Sequence, residues 1–119
     1  MEISFTKGHG TGNDFVLIDN FDNDIELTKQ QIQKICDRNF GIGADGVIFV
    51  VRTATSEVSG LVDQEPAAEW FMDYRNADGT KAEMCGNGIR VFARYLLAND
   101  LAQIPARSSL PIATRDGIK

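Results

Sequence analysis

An α/β fold follows from three features of this 119-residue sequence. The apolar runs Phe15–Ile18 and Val47–Val51 are uninterrupted but too short for helices, which suits buried strands. Amphipathic helical patterns start near Thr28 and after Cys85. Glycine-rich turns separate these segments. A chain of this length suits one domain, spanning residues 1–119, that buries roughly two-thirds of its unfolded surface.

The alternating Ile3-Ser4-Phe5-Thr6 predicts a short opening strand. Gly8 to Asp14 reads as a turn-rich loop, whose glycines permit positive φ and close backbone approach. Phe15–Ile18 is then the first buried strand, and Asn20–Asp24 a polar turn. Thr28 with Gln31 fits a capping box, and Ile32, Ile35 and Cys36 share one face of the helix it opens. Gly41–Gly46 is a second glycine-rich loop, feeding the strand Val47–Val51. Thr53–Pro66 reads as a solvated loop, strand character returns over Glu69–Tyr74, and Asn76-Ala77-Asp78-Gly79 is a turn. The strongest helical pattern follows Cys85-Gly86-Asn87-Gly88. Ile89, Phe92, Ala93, Leu96 and Leu97 form its stripe, Arg90 and Arg94 lie off it, and Asn99 and Asp100 end it. Ile112–Arg115 predicts one more strand and Asp116-Gly117 a hairpin turn. Only Ile118 and Lys119 follow, so the chain is expected to stop in mid-hairpin, as a fragment would.

The composition, 43% hydrophobic and 24% charged, belongs to a folded chain. A net charge of -5 argues against a nucleic-acid binder and against attachment to an anionic membrane. No signal-like apolar segment opens the chain, and no run approaches a membrane span. Two cysteines make no disulfide framework, so a cytoplasmic, reducing setting is expected. Cys36, Cys85 and the lone His9 lack metal-ligand spacing, so no metal is expected.

Chemistry is expected in the polar loops 8–14, 41–46 and 76–88, since loops on a rigid scaffold are where sites are usually built. Cys85 stands directly before a predicted helix, where unpaired amides and the positive end of the helix dipole favour a thiolate. Gly86 and Gly88 would let a ligand carboxylate reach those amides. The same residue reads equally well as a small, buried, unreactive cysteine. Cys36, on an apolar stripe, reads as core. Asn13 and Asn76 fit turn formation better than ligand contact on local pattern alone.

The motif order changes that balance. Phe5-Thr6-Lys7-Gly8-His9-Gly10, Gly12-Asn13-Asp14-Phe15-Val16 and Asp37-Arg38 come first. Gly41-Ile42-Gly43-Ala44-Asp45-Gly46, Asn76-Ala77-Asp78-Gly79 and Glu83-Met84-Cys85-Gly86-Asn87-Gly88-Ile89-Arg90 follow, with Phe92-Ala93-Arg94-Tyr95 after them. Together they resemble the N-terminal half of the diaminopimelate epimerase family. The resemblance implies a curved, mostly antiparallel or mixed sheet wrapped round a central helix, one of two similar domains with the active site between them. It implies an isomerase that works without a cofactor, interconverts LL- and meso-diaminopimelate in lysine and cell-wall precursor synthesis, and forms a homodimer. Two cysteines flank the substrate's α-carbon in that family, one removing a proton and the other returning one from the opposite face.

Carried over by motif, Cys85 is one of these acid/base cysteines, Gly86 and Asn87 hold the reacting carboxylate, and Asn13 and Asn76 contact substrate. Some relatives place a Gln where Gly46 stands, so no side-chain contact is assigned there. The second cysteine belongs to the family's C-terminal domain, which this chain lacks, and Cys36 is not its replacement. The chain alone is therefore expected to be inactive. A thiol redox protein using Cys85 and a non-catalytic carboxylate-binding domain are the competing readings.

Overall fold

The structure, a computed structural model, describes residues 3–10, 12–55, 68–82, 86–102, 110–115 and 117–118. β1 (Thr6–Gly10) and β2 (Asn13–Asp19) form an antiparallel hairpin whose turn passes through Gly12 at φ +88°. α1 (Lys29–Cys36) connects β2 to its parallel neighbour β3 (Gly46–Arg52), which pairs antiparallel with β4 (Trp70–Asn76). α2 (Gly86–Ala98) connects β4 to the parallel β5 (Ala113–Thr114), and β6 (Gly117–Ile118) pairs back on β5. The result is a mixed six-stranded sheet in the order β1-β2-β3-β4-β5-β6.

Side chains alternate across a strand, so a continuous apolar run feeds two cores. Val16, Ile18, Val47, Phe49 and Val51 pack with Ile32 and Cys36 of α1. Phe15, Leu17, Ile48 and Val50 pack on the other face with Val91, Phe92 and Leu96 of α2. Topology explains the opposite faces. Both crossovers advance in the same direction across the sheet, but β2 and β4 run in opposite senses. Two crossovers of the same right-handed sense must then leave their helices on opposite sides. α2 touches β1, β2, β3 and β4, the arrangement of a sheet wrapped round a helix.

The helix ends obey local chemistry. Gln31 N donates to Thr28 Oγ1 at 3.1 Å and Thr28 N donates to Gln31 Oε1 at 2.8 Å, completing the capping box. α2 stops where Asp100 turns to φ 56°, with Leu101 N donating to Leu96 O and Asp100 N to Leu97 O. This is a Schellman end with aspartate in the usual glycine position. Among the described residues no helix is long and apolar enough to cross a membrane.

Several sequence expectations shift. The opening strand begins at Thr6, not Ile3, and Gly8-His9-Gly10 lies within it rather than in a loop. The reason is packing: a Cβ at Gly10 would sit 2.7 Å from Val91 Cγ2 and 3.0 Å from the Asn87 carbonyl oxygen. Those glycines permit α2 to approach rather than the chain to turn. The α2 stripe buries Gly88, Val91, Phe92 and Leu96, while Leu97 is 37% exposed. Gly117 sits on the returning strand, opposite Thr114, rather than in the hairpin turn. Thr53–Thr55 is a short 3-10 turn, and the remainder of that expected loop, from 56 to 66, lies outside the described residues.

Candidate active site

One end of the sheet gathers the expected site residues. β2 and β3 start there, β4 ends there, and α2 opens there. Asn13 is the first residue of β2, Asn76 the last of β4, and Gly86 and Asn87 the first two of α2. Cys85, one position before α2, lies outside the described residues.

Asn13 and Asn87 meet directly: Asn87 Nδ2 donates to Asn13 Oδ1 at 2.5 Å. The other end of the Asn13 amide, Nδ2, donates to Asp45 Oδ2 at 3.0 Å. A carboxylate only accepts hydrogen bonds, so the Asp45 contact requires the amide nitrogen on that side and turns the oxygen toward Asn87. Asn76 is occupied in its own turn. Its backbone N–H donates to Thr80 O at 2.8 Å, its Nδ2 to Thr80 Oγ1 at 3.1 Å, and its carbonyl accepts from Gly79 N. Asn76 is nonetheless the Cα partner of Gly46, which is itself opposite Phe15, so it stays at the same end of the sheet. A side chain at 46 has no room, since its Cβ would come within 2.4 Å of Tyr74 Cε1.

α2 presents its first turn without an acidic side chain to neutralise it. Three or four backbone N–H groups at such an end have no partner within the helix, and the dipole favours an anion. Among the described residues nothing lies within 4 Å of a Cβ added to Gly86. Cavities of about 500 Å³ and 350 Å³ lie elsewhere, the larger on the α1 face against Asp73 and Arg115, the smaller along α2 beside Tyr95. Neither is lined by Asn13, Asn76, Gly86 or Asn87.

Behind Asn13 stands a charged network of Lys7, Asp14, Arg38 and Asp45, residues to which the sequence motifs assign no role. Asp14 accepts from both terminal nitrogens of Arg38, at 3.0 and 2.8 Å, and pairs with Lys7 at 3.1 Å. Lys7 also donates to the Gly43 carbonyl. Arg38 reaches Asp45 Oδ1 at 3.2 Å, and Asp45 Oδ2 accepts from the Asp14 backbone N–H at 3.1 Å. The Arg38 hydrogen bonds, aided by Lys7, hold the Asp14 carboxyl well below the usual carboxylate range. Cys36 is buried and unpaired, and burial pushes its thiol pKa up, as a core cysteine requires. His9 sits exposed on β1 opposite Asp14. Among the described residues no three His, Cys, Asp or Glu side chains gather as a metal site.

A model of the diaminopimelate epimerase family matches residues 5–118. The chain belongs to that family. Diaminopimelate epimerase from Streptomyces coelicolor is 49% identical over 118 residues, covering 98% of this chain and 39% of the relative. The Corynebacterium glutamicum enzyme of that name is 47% identical over 119 residues, covering 100% of this chain and 40% of its own length. The chain thus spans about two-fifths of the length of these curated relatives. Among solved structures, a phenazine biosynthesis protein of the PhzF family from Bacillus anthracis is similar in fold. Its TM-score is 0.61 at 25% identity, over 99% of this chain and 35% of that one. The mixed sheet round α2 is thus the diaminopimelate epimerase-like fold.

Proposed function

We propose that this chain is the N-terminal domain of a diaminopimelate epimerase and carries one half of its active site. The observation that supports this most is the contact of α2's first turn with Asn13, which puts the N-terminal end of a helix and a polar side chain side by side. The relatives' further length supplies a second domain and the opposing cysteine in this reading. The substrate is diaminopimelate, no cofactor takes part, and the whole enzyme forms a homodimer.

The reaction is difficult because an α-hydrogen beside a carboxylate is a very weak acid. The Cys85 thiolate takes that proton and becomes a thiol, leaving the electron pair on the α-carbon and its carboxylate. The opposing thiol gives its proton to the other face and becomes a thiolate. The backbone N–H groups of Gly86 and Asn87 receive the carboxylate oxygens on which negative charge grows, and preorganised donors of this kind usually supply the largest share of such stabilisation. Asn13 and Asn76 orient the amino-acid end of the substrate, and exclusion of water keeps the thiolate basic.

The test joins this sequence to the remaining three-fifths of the Streptomyces coelicolor relative and follows net conversion of LL- to meso-diaminopimelate, which needs a proton taken from one face and returned to the other. Cys85→Ala is expected to reduce conversion by about 100–10,000-fold, in line with removal of a general base. Retention of near-parental conversion by that variant would overturn the assignment.

A further inference from the structure

We propose that Asp45 is a positioning residue, acting through Asn13 to hold the side chain of Asn87 on the first turn of α2. The hydrogen bonds run in one line: Asp45 Oδ2 receives Asn13 Nδ2 at 3.0 Å, and Asn13 Oδ1 receives Asn87 Nδ2 at 2.5 Å. An amide has no preferred end until a neighbour chooses one, and a carboxylate is the neighbour that admits only the nitrogen. Without Asp45, the Asn13 amide is free to reverse and offer its nitrogen to the Asn87 nitrogen, which breaks the contact.

Asp45 is itself held. Its backbone N–H donates to Asp14 O at 2.9 Å and to Asp14 Oδ1 at 3.1 Å, while its Oδ2 accepts from Asp14 N at 3.1 Å. Arg38 bridges both carboxylates at 2.8 and 3.2 Å. This clamp ties the 41–46 loop to the start of β2. The rest of α2 is anchored by apolar packing of Val91, Phe92 and Leu96. Its first turn, by contrast, has the Asn13 contact and the close approach of Gly10 to fix it against the hairpin. Small displacements at a reacting centre are costly, about 100-fold in rate for roughly 1 Å.

The inference rests on the epimerase reading for its kinetic consequence but not for its structural one, so two measurements separate them. In the 119-residue chain, Asp45→Ala is expected to shift the Asn87 side-chain amide resonances and speed their hydrogen exchange. Asp45→Asn keeps an acceptor oxygen of the same shape and is expected to leave those signals near their parental positions. In the joined enzyme, Asp45→Ala and Asn13→Ala each lower kcat/KM by about 10–100-fold, and the double variant is no worse than Asn13→Ala alone. A loss that acts in series cannot be counted twice, whereas a general loss of folding would add. Unmoved Asn87 resonances in Asp45→Ala, or additive losses in the double variant, would overturn the proposal. Where Asp45→Ala does not fold, Asp45→Leu, similar in shape but without an acceptor, supplies the same resonance test, with the same two outcomes. Moved resonances in a joined parent enzyme without epimerase activity would sink the epimerase reading and leave the positioning role standing.

Discussion

Gly10 and Gly86 have the same side chain and opposite surroundings. A methyl group at Gly10 collides with Val91 and with the Asn87 carbonyl, neither of which is a flexible chain end. Gly10→Ala is therefore expected to destabilise the fold by about 1–3 kcal/mol, the usual range for overpacking, as read by urea unfolding. At Gly86 a methyl meets nothing within 4 Å among the described residues, so Gly86→Ala should change stability by less than about 0.5 kcal/mol. It should nevertheless raise KM for diaminopimelate in the joined enzyme, since the methyl stands where the carboxylate would approach. A Gly86→Ala enzyme with parental KM would remove Gly86 from the carboxylate cradle. Asp14 ties stability to pH. Its carboxyl, held low chiefly by the Arg38 hydrogen bonds, adds stability above its unfolded pKa, and that stability is lost as pH falls through the lower folded value. The gap between parent and Asp14→Asn should be full near neutrality and shrink below about pH 4. A gap that stays constant into acid would show that charge on Asp14 is irrelevant to stability.

At the scale of elements, β5 leans on side chains for its place beside β4. It meets β4 through the single register pair Phe71 and Ala113, so ladder hydrogen bonds contribute little. Asp73 of β4 compensates: Arg75 donates to it at 2.9 Å through two nitrogens, and Arg115, just past β5, lies 2.7 Å away. Burial would raise the Asp73 pKa, but these two guanidinium groups outweigh it and hold the carboxyl below its ordinary value. Both arginines also cover rings, Arg75 over Phe49 at 5.1 Å and Arg115 over Phe71 at 5.3 Å. Asp73→Ala leaves two largely buried cations without their anion, so it should cost about 3–5 kcal/mol and release β5 first in hydrogen exchange. A smaller loss, with β5 protected as before, would mean that apolar contacts alone hold the edge. The α1 cap contrasts with this. Thr28 and Gln31 announce it within four residues, because a capping box is local chemistry. Asp73, Arg75 and Arg115 announce nothing together, because the partnership exists only once β4 and β5 lie side by side.

The whole molecule divides its labour between two domains in the proposed reading. The expected site residues sit at one end of the sheet, and the chain spans about two-fifths of its curated relatives. A single thiol can remove the α-proton but cannot return one to the opposite face. The purified 119-residue chain is thus expected to give no conversion of LL- to meso-diaminopimelate, while the joined enzyme does. Turnover by the chain alone at rates near the joined enzyme would refute the half-site reading.

The sequence alone determined the elements and their chemistry wherever the signal was local. The apolar runs became the central strands, the capping box opened α1, and Gly86-Asn87 opened α2. Tertiary structure decided what the glycines of β1 are for, since a turn and a close helix approach favour the same residue. It also decided that Asn13 faces Asn87 and is oriented by Asp45, residues separated by 74 and 32 positions. Contacts of that range have no periodicity to betray them. They arise when two crossovers and a hairpin bring one end of the sheet together, and only then does an amide acquire a direction.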